Sequence, residues 1–160
     1  MKPLWYVDAD TLGLAHVLIR ARRDVTFPGD DGVRHKNSWR LPPCVISDPG
    51  THDNVWIPAV AKAGMSIITR DVHIATRTAE INEVIAAQAR MFAITGPEKL
   101  HTWDLLTIAV ARWQDFELAA QEDGPYIYSV ARTTMSKIDL QVGKLGRSER
   151  SRYRPVSPTD

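Results

Sequence analysis

Aspartates stand at four places in this sequence where chemistry is easier to justify than structure. Asp8 and Asp10 close the run Leu4-Trp5-Tyr6-Val7-Asp8-Ala9-Asp10-Thr11, an apolar stretch that ends on alternating carboxylates just before a helical pattern. In a strand, side chains i and i+2 share a face, so both acids are expected to emerge together at its carboxyl end, where open α/β sheets keep their ligands. Asp53 lies at the start of a later helical stretch, and Asp71 closes a second strand-like run, Met65-Ser66-Ile67-Ile68-Thr69-Arg70-Asp71. Carboxylates a few ångströms apart repel each other, and a divalent cation is the commonest relief. Asp8, Asp53 and Asp71 could share one Mg²⁺ or Mn²⁺. Such an ion prefers oxygen ligands, lowers the pKa of a bound water and suits in-line hydrolysis of a phosphodiester.

Each acid also has a plainer account. Asp10 beside Thr11 could cap the first helix, Asp53 could serve the dipole of its own, and Asp71 could be a turn residue or half of an ion pair. Asp8 is the exception: two residues ahead of a capping Asp10 it has no capping role, and a buried carboxylate without partners is unfavourable. No Ser/His/Asp order and no activated cysteine competes with the acids.

The elements that would position these residues alternate as α/β. Leu14, Leu18 and Ala21, with Ala15 and Ile19 beside them, make one apolar helix face over residues 11–23, and Asp24-Val25-Thr26-Phe27 reads as a second strand, so β-α-β with a parallel crossover is expected. Residues 29–50 read as a long loop with an apolar island at 41–46 that holds at most a short strand. A helix over 51–64 should bury Val55, Trp56, Ala59, Val60 and Ala63, with Pro58 tolerated near its first turn and Gly64 as its stop. After the strand at 65–71 come a helix over 78–89, a strand at 91–95, a helix over 102–120 with Leu105, Leu106, Ile108, Ala109, Trp113 and Phe116 inward, and a last or edge strand at 125–130. Residues 1–140 are read as one domain, and 141–160, with five Lys/Arg, two acids and two prolines, as a flexible basic tail.

Composition narrows the class. A chain of 160 residues, 44% hydrophobic and 24% charged, suits one globular core. A net charge of +1 leaves polyanion binding to local patches. The lone Cys44 excludes an internal disulfide and a Cys-rich zinc site, and it is expected to be a small packed residue in a reducing, cytoplasmic setting. No apolar run reaches the roughly 20 residues of a membrane span, and the first residues carry acids where a signal peptide would be apolar.

Tyr6-Val7-Asp8-Ala9-Asp10, His52-Asp53-Asn54-Val55-Trp56-Ile57, Ile67-Ile68-Thr69-Arg70-Asp71, then Ile74 through Arg77 and Glu80, together resemble the PIN-like nucleases, most closely the VapC-type toxin branch. Gly124-Pro125-Tyr126-Ile127 and Val130-Ala131-Arg132 are similar to the later part of that branch, so the likeness covers roughly residues 4–132. It implies a PIN-like α/β/α sandwich with a mainly parallel central sheet and a Mg²⁺/Mn²⁺-dependent endoribonuclease. It also implies a toxin of a type II toxin-antitoxin pair, held by a cognate antitoxin. By the same likeness Asp8, Asp53 and Asp71 are catalytic metal ligands with Asp10 beside them. Two departures stand out. Asn54 occupies a place where such proteins often carry an acid, and the loop at 29–50 is longer than compact members need. Glu80 or Glu83 could supply a fourth acid, and a solvated helix face is the plainer account of Glu83.

Arg70, His73 and Arg77 flank Asp71 and are candidate phosphate contacts, with surface charge or an Arg77–Glu80 pair as the alternatives. The basic tail is a second foothold for RNA or for an acidic partner. Trp5, Trp56, Trp103 and Trp113 are expected in the core, whereas Trp39 in the loop is a candidate for base stacking or antitoxin contact. The number of metals and the existence of a homodimer stay open. Two rival readings remain. Asp8-Ala9-Asp10-Thr11 also satisfies the D-x-D-x-T signature of haloacid-dehalogenase-like phosphatases, with Asp8 as nucleophile and Asp10 as general acid/base, and a PIN-like shell can serve as a non-catalytic binding module.

Overall fold

The computed structural model describes residues 2–32, 41–70, 77–97 and 99–140. Asp71, His73, Trp39, Glu98 and the tail at 141–160 lie outside the described residues. The chain runs β1 (Trp5–Val7), a single 3-10 turn (Ala9–Thr11), α1 (Leu12–Ala21), β2 (Val25–Thr26), α2 (Asp53–Lys62), β3 (Ser66–Arg70), α3 (Thr78–Ala86), β4 (Arg90–Ile94), α4 (Thr102–Ala119), β5 (Tyr126–Val130) and β6 (Met135–Lys137). The strands form one sheet in the order β2-β1-β3-β4-β5-β6. All neighbours are parallel except β6, which is antiparallel to β5.

Alternation along the strands sorts their side chains between two helical layers. Trp5, Val7, Ile68, Phe92 and Ile94 pack with Leu14, Leu18, Leu105, Ile108, Trp113 and Phe116 of α1 and α4. Tyr6, Ile67, Met91, Ala93 and Ile127 pack with Trp56, Ile57, Val60, Ile81 and Val84 of α2 and α3. The central strands are therefore covered on both faces, which is why they read as unbroken apolar runs. The first layer is aromatic: Trp5 lies 5.2 Å from Trp113 and Phe92 lies 4.8 Å from Phe116. The result is the α/β/α sandwich expected from the sequence.

Several local expectations are corrected. The apolar island at 41–46 forms no strand. Pro42 and Pro43 lack donors, and Leu41, Cys44 and Ile46 are buried through the backbone bonds Cys44 N to Asp30 O (2.8 Å) and Gly29 N to Ile46 O (2.8 Å). In α2, Val55 is exposed and Ile57 is buried in its stead. Pro58 is the sixth residue of α2, beyond the first turn, so the exposed Asn54 loses its helical donor. Trp103 is exposed rather than in the core, and β6 is an additional edge strand. Gly64 follows α2 at φ +79°, a left-handed position that suits glycine at a helix stop. No helix among the described residues is long and apolar enough to cross a membrane.

Candidate metal centre

The chain steps from β1 to β2 on one side and then crosses from β2 past β1 to β3 on the other, so the strand order reverses direction between β1 and β3. In open parallel sheets such a switch point, at the carboxyl ends of the strands, is the natural ligand crevice. Asp8 follows β1 there and Thr69 is the next-to-last residue of β3. The register Val7↔Ile68 makes them neighbours, and Thr69 Oγ1 donates to Asp8 Oδ2 at 2.9 Å. Asp53 arrives from the α2/α3 layer, in the first turn of α2, and its Oδ1 accepts from Trp56 Nε1 at 2.8 Å. Trp56 in turn stacks on Tyr6 with ring centroids 5.2 Å apart, which fixes α2 against β1.

These side chains line one cleft of about 50 Å³ together with Asp10, Ile57, Met91, Arg77 and Glu80. Since roughly 10–15 Å³ of such volume already holds a water, the cleft has room for an ion with a few waters. Trp56, Ile57, Thr69 and Met91 of this lining are buried, and Asp10 and Asp53 are exposed.

Asp8 contradicts its expected lack of a capping role. A 3-10 turn intervenes between β1 and α1, and Asp8 is its cap, Ala9 N donating to Asp8 Oδ1; Asp10 sits inside that turn instead of capping α1. Each Asp8 oxygen thus has one donor and retains a further lone pair. Burial pushes the Asp8 carboxyl up to about 6, with the like charges of Asp10 and Asp53 adding to the rise and the Thr69 and Ala9 bonds opposing it. Burial also raises the Tyr6 hydroxyl and the Cys44 thiol, so neither is an ionised nucleophile near neutrality.

The predicted residues are placed unequally. Asp8, Asp10, Asp53 and Arg77 share the cleft. Arg70 does not line it. Alternation turns this side chain to the α1/α4 layer, where its Nη1 donates to Leu100 O at 2.7 Å. Arg77 Nη1 meets Glu80 Oε1 at 2.9 Å, so the i,i+3 pair considered from sequence is present within the cleft lining. Asp71 lies outside the described residues. Among those described, no three of His, Cys, Asp or Glu stand close enough to hold one ion together. The donor chemistry nevertheless fits a hard cation. Carboxylates and one hydroxyl converge, like charges already disfavour Asp8 ionisation, and the one soft atom among the described lining residues is the thioether of the buried Met91. Thr69 and Trp56 are the contributors sequence reasoning left without a role; their signals were a buried hydroxyl in the motif's strand and an indole at i+3 from Asp53.

The family model described as "PIN like domain" matches residues 13–96, more than half of the chain. That span includes Asp53, Arg70, Arg77 and Glu80 and begins after Asp8 and Asp10. No curated protein and no solved structure matches the chain.

Proposed function

The chain belongs to the PIN-like domain family, a nuclease-type fold, and from that we propose that it is a metal-dependent endoribonuclease of the VapC-type toxin branch, acting on RNA in the cytoplasm under a cognate antitoxin. One observation supports this reading above the others: Asp8, Asp10 and Asp53, from two different layers, line a single ion-sized cleft at the β1/β3 switch point. Asp8 and Asp53 would hold Mg²⁺ or Mn²⁺ with Asp71, and Asp10 would stand beside them through a water or directly. When bound, the cation supplies a water of lowered pKa and neutralises charge that develops on the phosphate. Thr69 keeps the Asp8 carboxylate turned to the cleft, and Trp56 does the same for Asp53. Arg77 at the rim positions a phosphate, and Arg70 steers from the far side of β3.

The test is cleavage of a mixed RNA pool by the wild type and by Asp53→Asn, in Mn²⁺ and in EDTA. Fragments that need both Mn²⁺ and Asp53 are expected. A phosphorylated Asp8 without RNA cleavage would overturn the proposal in favour of a phosphatase, and metal-independent RNA binding without cleavage would reduce the chain to a binding module.

A further inference from the structure

A serine interrupts the row of large side chains that crosses the amino end of the sheet on its α1/α4 face. Val25, Trp5 and Ser66 are register partners in β2, β1 and β3, and Arg90 and Tyr126 are partners in β4 and β5. Ser66 and Arg90 lie two residues before Ile68 and Phe92, which pack on that face, so alternation turns them the same way and sets them side by side. A hydroxymethyl group between an indole and a guanidinium leaves space that neither neighbour fills. A cleft of about 340 Å³ opens there beside the end of α4, at the small end of the range for ligand pockets.

Two polar groups of this cleft lack the partner that their positions call for. Ser66 is 2% exposed, yet its hydroxyl has no hydrogen-bond partner among the described residues, and the little surface it keeps is in the cleft it lines. Such a group is unfavourable unless something bonds to it. Arg90 is clamped by two neutral carbonyls, Nη1 on Ala120 O at 2.9 Å and Nη2 on Gly64 O at 2.7 Å, and among the described residues no carboxylate pairs with it. Carbonyls orient a guanidinium without cancelling its charge, so Arg90 is held ready for an anion. The acids of the wall, Asp24 and Glu117, are already engaged by Arg22, and their repulsion disfavours a doubly charged phosphate more than a single charge. Leu4 and Trp5 supply apolar wall. We propose that this cleft binds a small organic monocarboxylate, its oxygens on the Ser66 hydroxyl and the Arg90 guanidinium and its apolar body against Leu4 and Trp5. The site lies at the opposite end of the strands from the acid cleft and does not depend on the nuclease reading.

Titration of the full chain with benzoate, followed by ¹H–¹⁵N NMR, tests the proposal. Saturable shifts are expected at the Ser66 amide and the Arg90 Nε–H, with benzamide and inorganic phosphate each binding about tenfold more weakly, since the bond to the guanidinium is charge-assisted. Ser66→Ala, which removes only the hydroxyl, should weaken benzoate about fivefold, and Arg90→Gln about tenfold. Because Arg90 also holds the ends of α2 and α4, Ser66→Ala decides the matter should Arg90→Gln fail to fold. Benzoate that moves neither resonance, or binds Ser66→Ala as it binds the wild type, overturns the site; benzamide or phosphate bound as tightly as benzoate overturns the ligand class.

Discussion

The two ends of the sheet treat their charges in opposite ways. At the amino end, Arg22 donates through Nε and Nη2 to Asp24 at 2.9 and 2.8 Å, reaches Glu117 at 3.1 Å and lies 4.4 Å from the Trp113 ring centroid. Arg90 at the same end donates to Ala120 O at 2.9 Å and Gly64 O at 2.7 Å. At the carboxyl end, Asp8, Asp10 and Asp53 share a cleft, and among the described residues none of them forms an ion pair with Lys or Arg. The cation that lines the cleft, Arg77, is bonded to Glu80. A carboxylate neutralised by a guanidinium of its own chain is complete as structure. Carboxylates held together without one are matched by a cation from solution, and that is where chemistry can occur.

The largest expected effect of breaking this contrast is catalytic. Asp8→Asn or Asp53→Asn should lower Mn²⁺-dependent RNA cleavage by on the order of 10²–10³-fold, about 3–4 kcal/mol of barrier, whereas Asp24→Asn at the other end should leave the rate within a few-fold. Equal losses from both ends, measured as initial rates, would erase the distinction.

Next in size is the dependence of stability on pH. Asp8 has a folded pKa of about 6 against an ordinary value of 3.8, so the folded chain retains a proton that the unfolded chain has lost. The stabilisation from that proton is complete below the ordinary value and is lost as pH rises through about 6. In chelator, urea midpoints should therefore fall between pH 4 and pH 6, and Asp8→Asn should raise stability at pH 8 by at most about 3 kcal/mol. Mn²⁺ should restore the wild type at pH 8 and leave the variant unchanged. A smaller effect is expected from Arg22→Ala, which removes a bidentate pair and a cation–π contact and should cost about 1–2 kcal/mol in denaturant unfolding without altering Mn²⁺ affinity. Smallest of all, Arg77→Ala should raise KM for RNA several-fold with kcat nearly unchanged, and should reduce the salt slope of RNA binding by about 1.

Much of this arrangement was legible in the amino-acid sequence because long periodic stretches carry it. The β1-α1-β2 unit, the α2 turn that presents Asp53 and the apolar stripe of α4 all follow from spacing, and the parallel sheet follows from their alternation. What was not legible depends on contacts between distant segments. The 3-10 turn that makes Asp8 a cap adds no pattern of its own between strand and helix. Thr69 reaches Asp8 only because β1 and β3 are neighbours, a fact of strand order and not of either segment. The three residues of β6 are too few and too exposed to show alternation. Trp103 carries an apolar side chain on a helix that has two apolar sides, and composition does not say which of them meets the sheet.

The central claim is that the carboxyl-end acids of this chain hold a divalent cation, and a crystal soaked in Mn²⁺ and measured for anomalous scattering tests it directly. A peak within about 2.3 Å of carboxylate oxygens of both Asp8 and Asp53 is the predicted result. A cleft without a peak while Mn²⁺ binds elsewhere on the protein, or a peak that persists in Asp8→Asn with Asp53, would contradict it.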